Sequence, residues 1–151
     1  MNRSAIISKN KKYRYELSRI WSDLPKITFI MLNPSYGNEH IDDKTIKRLI
    51  FFSKKFGYGG FYIGNIFPNI NTNVKDLYLN ISHNKKKNRK HVFSMIKKSI
   101  CVVYAWGKTI DQPPDWIKKI VDKPLCFGFN SNGTPKHPLY LKKNTSLVSF
   151  R

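Results

Sequence analysis

The chain has 151 residues, 40% of them hydrophobic and 14% aromatic. That composition fits one globular domain over residues 1–151, able to bury roughly two-thirds of its unfolded surface, and excludes a disordered chain. Twenty-eight Lys and Arg against nine Asp and Glu give a net charge of +19 and a pI near 10.1. A basic balance of this size concentrates a polyanion by long-range attraction, so nucleic acid, DNA foremost, is the leading partner. An AT-rich genome inflates Lys, Asn and Ile but does not deplete Asp and Glu, so the scarcity of acids is the more telling half of the imbalance.

No apolar run approaches the roughly 20 residues that span a bilayer, and the basic residues form no amphipathic anchor. Ala5-Ile6-Ile7 is too short for the apolar core of a signal peptide, so a cytoplasmic protein without membrane contact is expected. Cys101 and Cys126 fall inside predicted strands without metal-binding spacing; two buried thiols, no metal and no cofactor are expected.

In chain order, Tyr13, Tyr15 and Leu17 alternate with Arg14, Glu16 and Ser18, which predicts a half-exposed first strand. Residues 27–32, apolar except for Thr28, predict a buried strand. Asp42 or Asp43 suits a helix N-cap. Ile46, Leu49, Ile50, Ser53 and Phe56 then follow at helical spacing, and Gly57 closes the helix. Residues 61–66 predict the next strand. Thr72 or Asn73 caps a short helix over residues 74–81, and a longer helix follows over 85–99 with Val92, Met95, Ile96 and Ser99 inward. Residues 101–105 predict a strand, 114–121 a helix, 125–129 a strand and 146–150 an edge strand. Strands alternating with helices predict an α/β fold, a three-layer α/β/α sandwich with a mainly parallel central sheet.

Four of these apolar runs end at short polar clusters. The first reaches Asn33-Pro34-Ser35, the second Asn65-Ile66-Phe67-Pro68 and the third Trp106-Gly107-Lys108, while the fourth leads on to Lys136-His137-Pro138-Leu139. In an open parallel sheet, ligands bind beyond the carboxyl ends of the strands, because the strand-to-helix loops converge there. Asn, Ser, Lys and His at four such ends therefore predict one site assembled from distant segments.

The ordered set Arg14-Tyr15, Leu32-Asn33-Pro34-Ser35, Asp42-Asp43-Lys44-Thr45-Ile46, Gly57-Tyr58-Gly59, Asn65-Ile66-Phe67, Ala105-Trp106-Gly107 and His137-Pro138-Leu139-Tyr140 resembles a family of small microbial and phage domains of unknown function. More distantly, the site motifs resemble the uracil-DNA glycosylase superfamily. Asn33-Pro34 is similar to the water-positioning motif of its mismatch-specific branch. Tyr62-Ile63-Gly64-Asn65-Ile66 resembles its strand ending in the Asn that reads a flipped base. Residues 102–108 and Lys136-His137-Pro138-Leu139-Tyr140-Leu141 are similar to motifs of its iron–sulfur branch. Two cysteines instead of four leave no iron–sulfur cluster expected, Ser35 stands where the mismatch branch has Gly, and no acid occupies position 33.

This second resemblance implies a DNA-acting base glycosylase that flips a damaged or modified base and hydrolyses its N-glycosidic bond. That reaction builds positive charge on the sugar and negative charge on the departing base. Asn33, Asp43 and His137 would be catalytic: Asn33 holding water, Asp43 supplying a carboxylate and His137 donating to a base carbonyl. Asn65, Ser35 and Tyr36 would contact the base, Tyr36 by stacking. Lys85, Lys86, Lys87, Arg89 and Lys90, with Lys108 and Lys136, would grip phosphates. Each also has a plainer role: Asn33-Pro34-Ser35 as a turn, Asp42 and Asp43 as helix caps, Tyr104 and Trp106 as core, and the lysine run as a solvated face. His40, His83 and His91 are expected to be solvated. A monomeric, non-catalytic nucleic-acid-binding module and an enzyme acting on a small nucleotide are the alternatives.

Overall fold

The computed structural model describes residues 1–77 and 85–151. Its strands are β1 (Asn2–Ile7), β2 (Arg14–Ile20), β3 (Ile27–Met31), β4 (Gly60–Asn65), β5 (Cys101–Tyr104), β6 (Leu125–Cys126) and β7 (Val148–Ser149). Its helices are α1 (Lys44–Lys55), α2 (Val74–Leu77), α3 (Lys85–Lys97) and α4 (Asp115–Ile120). The strands form one sheet in the order β1-β2-β4-β3-β5-β6-β7. The largely apolar run predicted as a buried strand is β3, buried at all five positions near the middle of the sheet.

The expectation of a mainly parallel sheet needs correction, because the sheet is mixed. β4, β3, β5 and β6 pair in parallel, whereas β1–β2, β2–β4 and β6–β7 pair antiparallel. The departure comes from a hairpin at the start of the chain. Ser8 N–H donates to the Tyr13 carbonyl at 2.8 Å across a turn containing Lys11 at φ 61°, and β1 lies outside β2. Sequence periodicity pointed to a strand near Tyr13 but not to β1, whose residues are mostly exposed and carry little apolar pattern.

Alternation along the central strands divides the core. Ile27, Phe29 and Met31 pack with Ile46, Leu49 and Phe52 of α1, while Ile30 packs with Val92 and Met95 of α3 and Ile117 of α4. Thr28 faces α3, its hydroxyl 3.2 Å from the Met95 carbonyl and 2.6 Å from the Ser99 hydroxyl. Tyr104 and Trp106 are core residues, at 1% and 2% exposure. Gly57, at φ 84°, ends α1 with its N–H on the Lys54 carbonyl, a left-handed closure open to glycine without steric cost.

The strand expected over residues 125–129 is shorter, because pairing stops at Cys126 and Phe129 makes only an isolated bridge to Pro135. Asn73 caps α2 by accepting the Asp76 N–H at 3.1 Å; the predicted continuation to Ile81 lies outside the described residues. Among the described residues no helix is long and apolar enough to cross a membrane.

Candidate active site

The carboxyl ends of β3 and β4 converge on a cavity of about 80 Å³, room for several waters. Asn33 follows β3, Asn65 ends β4, Asp43 begins α1, and His137 arrives from the segment after β6. All four line the cavity together with Ser35, Thr45 and Arg14, over an apolar floor of Met31, Ile46 and Ile63. Five predicted site residues from four distant segments thus meet in one place.

Asn65 is 2% exposed, and its side-chain oxygen accepts from the Arg14 guanidinium at 3.4 Å. Its amide nitrogen is buried without a hydrogen-bond partner, and so is Arg14 Nε. A buried donor left unpaired costs about 1–3 kcal/mol, a cost that a ligand acceptor would offset. Behind Asn65, the Asn88 amide of α3 holds its backbone carbonyl at 2.8 Å and fixes the end of β4.

Arg14 was expected on the solvated side of a half-exposed strand; instead it is 4% exposed. A bulge explains the difference. Ile6 pairs with Glu16 but Ile7 pairs with Arg14, so β2 carries one extra residue there. Glu16 faces α3, where its carboxylate meets His91, and strict alternation would send Arg14 the same way. The bulge turns it to the opposite side of the sheet, where it donates to the Gly37 carbonyl at 2.9 Å and meets Asn65. Tyr15 swings the other way and stacks on His91, ring centroids 5.1 Å apart. Burial lowers the Arg14 pKa to about 10, against an upward pull from Asp43, so the guanidinium stays charged at neutral pH.

The loop between β3 and α1 is held from below by Arg19, which is 0% exposed. Its Nε donates to Asp42 at 2.8 Å, and its other nitrogens reach the carbonyls of Ser18, Asn38 and Ile41. Arg3 of β1 adds a second bond to Asp42 at 2.7 Å. Burial works against the Asp42 carboxylate, but the two arginines outweigh it and hold its pKa below the ordinary 3.8. Asp42 is therefore the anchor, and Asp43 is the cap. Asp43 Oδ1 accepts the Ile46 N–H at 2.8 Å while its side chain borders the cavity. A methyl group on Gly37 would sit 2.2 Å from Ile46 Cδ1, so any larger residue there would have to displace the tip of that buried side chain.

Asn33 has a structural duty as well. Its amide nitrogen donates to the carbonyls of Asn69 at 3.2 Å and Thr72 at 3.1 Å, tying the β3 loop to the β4 loop. Only its oxygen is left to meet a ligand or water, and that oxygen cannot remove a proton.

His137 is set by a second hairpin-like segment. Asn130 N–H donates to the Thr134 carbonyl at 2.8 Å, Lys136 N–H to Gly128, and Gly107 N–H to Pro135. The Leu139 N–H donates to His137 Nδ1 at 3.1 Å, which makes Nδ1 the acceptor and puts the imidazole proton on Nε2. Burial lowers the His137 pKa below its ordinary 6.5, opposed by a smaller pull from Asp43, so the ring is neutral at pH 7. The site therefore gathers an amide donor, a neutral imidazole donor and a fixed cation, with one carboxylate opposite.

Of the other predicted residues, Lys108 and Lys136 line a wider cleft of about 380 Å³ that shares His137 with the cavity. Tyr36 is 69% exposed and does not line the cavity. Lys85, Lys86, Lys87, Arg89 and Lys90 lie on α3, away from it. His40 is exposed as expected, but His91 is half-buried against Glu16 and Tyr15, and His83 lies outside the described residues. Among the described residues no group of three or more His, Cys, Asp and Glu could hold a metal ion. Residue patterns missed the roles of Arg14 and Arg19; the signal available was two arginines in a strand whose apolar partners alternate with them irregularly.

The architecture is that of an α/β protein built on a mixed seven-stranded sheet, with its polar strand-end cavity at the parallel centre. The model of the family described as protein of unknown function (DUF1643) matches residues 14–139, and the chain belongs to that family. No curated protein and no solved structure matches it.

Proposed function

We propose that the chain is a DNA-acting, glycosylase-like hydrolase that takes an extruded base into the strand-end cavity and cleaves its N-glycosidic bond. The observation that carries this reading is the pair of buried, unpartnered donors, Asn65 Nδ2 and Arg14 Nε, beside a cavity that His137 also borders. Such a set suits a group that presents acceptors and gains negative charge, as a departing base does. In the reaction the electron pair of the C1′–N bond leaves with the base. Water oxygen bonds to C1′, and its proton passes to Asp43 or solvent. Asn33 orients that water through its free oxygen, and Lys108 and Lys136 in the adjoining cleft contact flanking phosphates. The reading treats the helices on both sides of the sheet as the three-layer arrangement of the uracil-DNA glycosylase superfamily. A cavity of about 80 Å³ suits a ring better than a whole nucleotide, which disfavours the small-nucleotide alternative.

A second reading, a non-catalytic DNA-binding module, draws support from Asn33, whose amide is committed to the 69–72 loop and which is no acid. Formation of alkali-labile sites in oligonucleotides carrying uracil, hypoxanthine, mismatched or hypermodified bases separates the two. The hydrolase reading expects strand breaks at one base type; tight binding without breaks on any substrate supports the module instead.

A further inference from the structure

A groove between α3 and α4 joins two open clefts of about 540 and 630 Å³ that share Arg89 and Phe93. Phe93, on α3, is 44% exposed, a large aromatic ring left at the surface in the middle of a basic helix. Lys85, Lys86 and Lys90 line one cleft, and Lys119 and Trp116 line the other, with Asp115 its acid. The Arg89 guanidinium lies 5.1 Å from the Trp116 ring centroid, yet its Nε is buried without a partner. Arg89 directly follows Asn88, whose amide holds the Asn65 backbone carbonyl from the α3 side of the sheet.

We infer that this groove binds single-stranded DNA, with Phe93 stacking on a base and the α3 lysines, Arg89 and Lys119 meeting phosphates. In a duplex each base face is covered by its neighbours, so the exposed Phe93 ring, whose centroid lies 5.2 Å from the Lys97 ammonium, can stack only on an unstacked base. Duplex DNA needs no such ring, and an acidic protein surface would answer the lysines but not Phe93. The inference rests on the chain binding DNA, but not on base cleavage.

The test is fluorescence anisotropy with a short oligothymidylate and a duplex of equal length, at several salt concentrations. The variants are Phe93→Ala, Lys86→Glu with Lys90→Glu, and Lys9→Glu as a control in the β1–β2 turn. These side chains are exposed, so the fold is retained. Phe93→Ala should weaken oligothymidylate binding about 10-fold and leave duplex binding and the salt slope unchanged. The α3 double variant should flatten the salt slope, because fewer counterions are released, whereas Lys9→Glu should change it far less. Unchanged oligothymidylate affinity in Phe93→Ala, an equal loss on duplex, or a Lys9→Glu effect as large as that on α3 would each overturn the groove. His137→Ala separates this from the hydrolase reading: it should lose base release yet bind oligothymidylate as the wild type does. Binding of neither form removes the DNA reading itself. Base release that persists beside indifference to Phe93 overturns the groove alone.

Discussion

The strand-end cavity and the α3–α4 groove hold positive charge in opposite ways. In the cavity the cation is Arg14, 4% exposed and aimed by a bulge, with its neighbours Asn65 and His137 fixed by hydrogen bonds from α3 and Leu139. In the groove most of the cations are lysines, of which Lys85, Lys86 and Lys90 of α3 are exposed and make no ion pair among the described residues. Exposed charges are screened within about 8–10 Å by physiological salt, whereas buried ones are screened much less. The net charge of +19 thus divides into two kinds: a mobile share that sets encounter and salt dependence, and a preorganised share that can act on one chemical group.

That contrast breaks most sharply at the cavity. Asn65→Ala or His137→Ala should each lower base release on the order of 100-fold to 1,000-fold while changing DNA affinity little, because each removes a donor aimed at developing charge. Single-turnover release rates beside equilibrium binding check the split; equal losses in both would merge the two regions into one binding surface. Asp43→Ala should lower release and cost about 1 kcal/mol of stability, since the same side chain caps α1.

Next in size is the loop that carries the cavity wall. Asp42→Asn leaves Arg19 buried with carbonyl partners only and should cost about 3 kcal/mol, seen as a lower urea midpoint. The linkage sign follows from the depressed Asp42 pKa: its stabilisation is present above pH 3.8 and is lost as pH falls below that value. A variant as stable as wild type would show that the arginine network does not hold the loop.

His137 adds a smaller, pH-dependent effect. Its folded pKa lies below 6.5, so the unfolded chain takes up the proton first. Stability is then full above pH 6.5 and declines as pH falls toward the depressed value. The urea midpoint of His137→Gln should lack this component of the decline between neutral pH and the acid side. An unchanged profile would mean that the imidazole titrates as a solvated one.

The smallest expected change belongs to the cations of α3 taken singly. Replacing one lysine should lower the slope of log affinity against log salt by about 0.9 on duplex and about 0.7 on a single strand, with base preference unchanged.

Much of this was legible in the residues alone. The run at β3 announced itself by four apolar residues around Thr28, α1 by its spacing and Asp cap, and the cavity by polar clusters following apolar runs. What was not legible depends on pairing. The β1–β2 hairpin carries little apolar pattern, so its antiparallel addition to β4 could not be read from periodicity. Arg14 reads as solvated under strict alternation, and only the register shift opposite Ile6 and Ile7 turns it inward. His91 likewise has no sequence signal for its contact with Glu16, a residue 75 positions away.

The measurement that bears most directly on the central claim is mass spectrometry of bases freed from genomic DNAs of different modification status, with wild-type protein and with Asn65→Ala. The account predicts one base class in the wild-type supernatant and its loss by at least about 100-fold in the variant. No released base from any DNA, with tight binding retained, would contradict it, and so would release that Asn65→Ala leaves untouched.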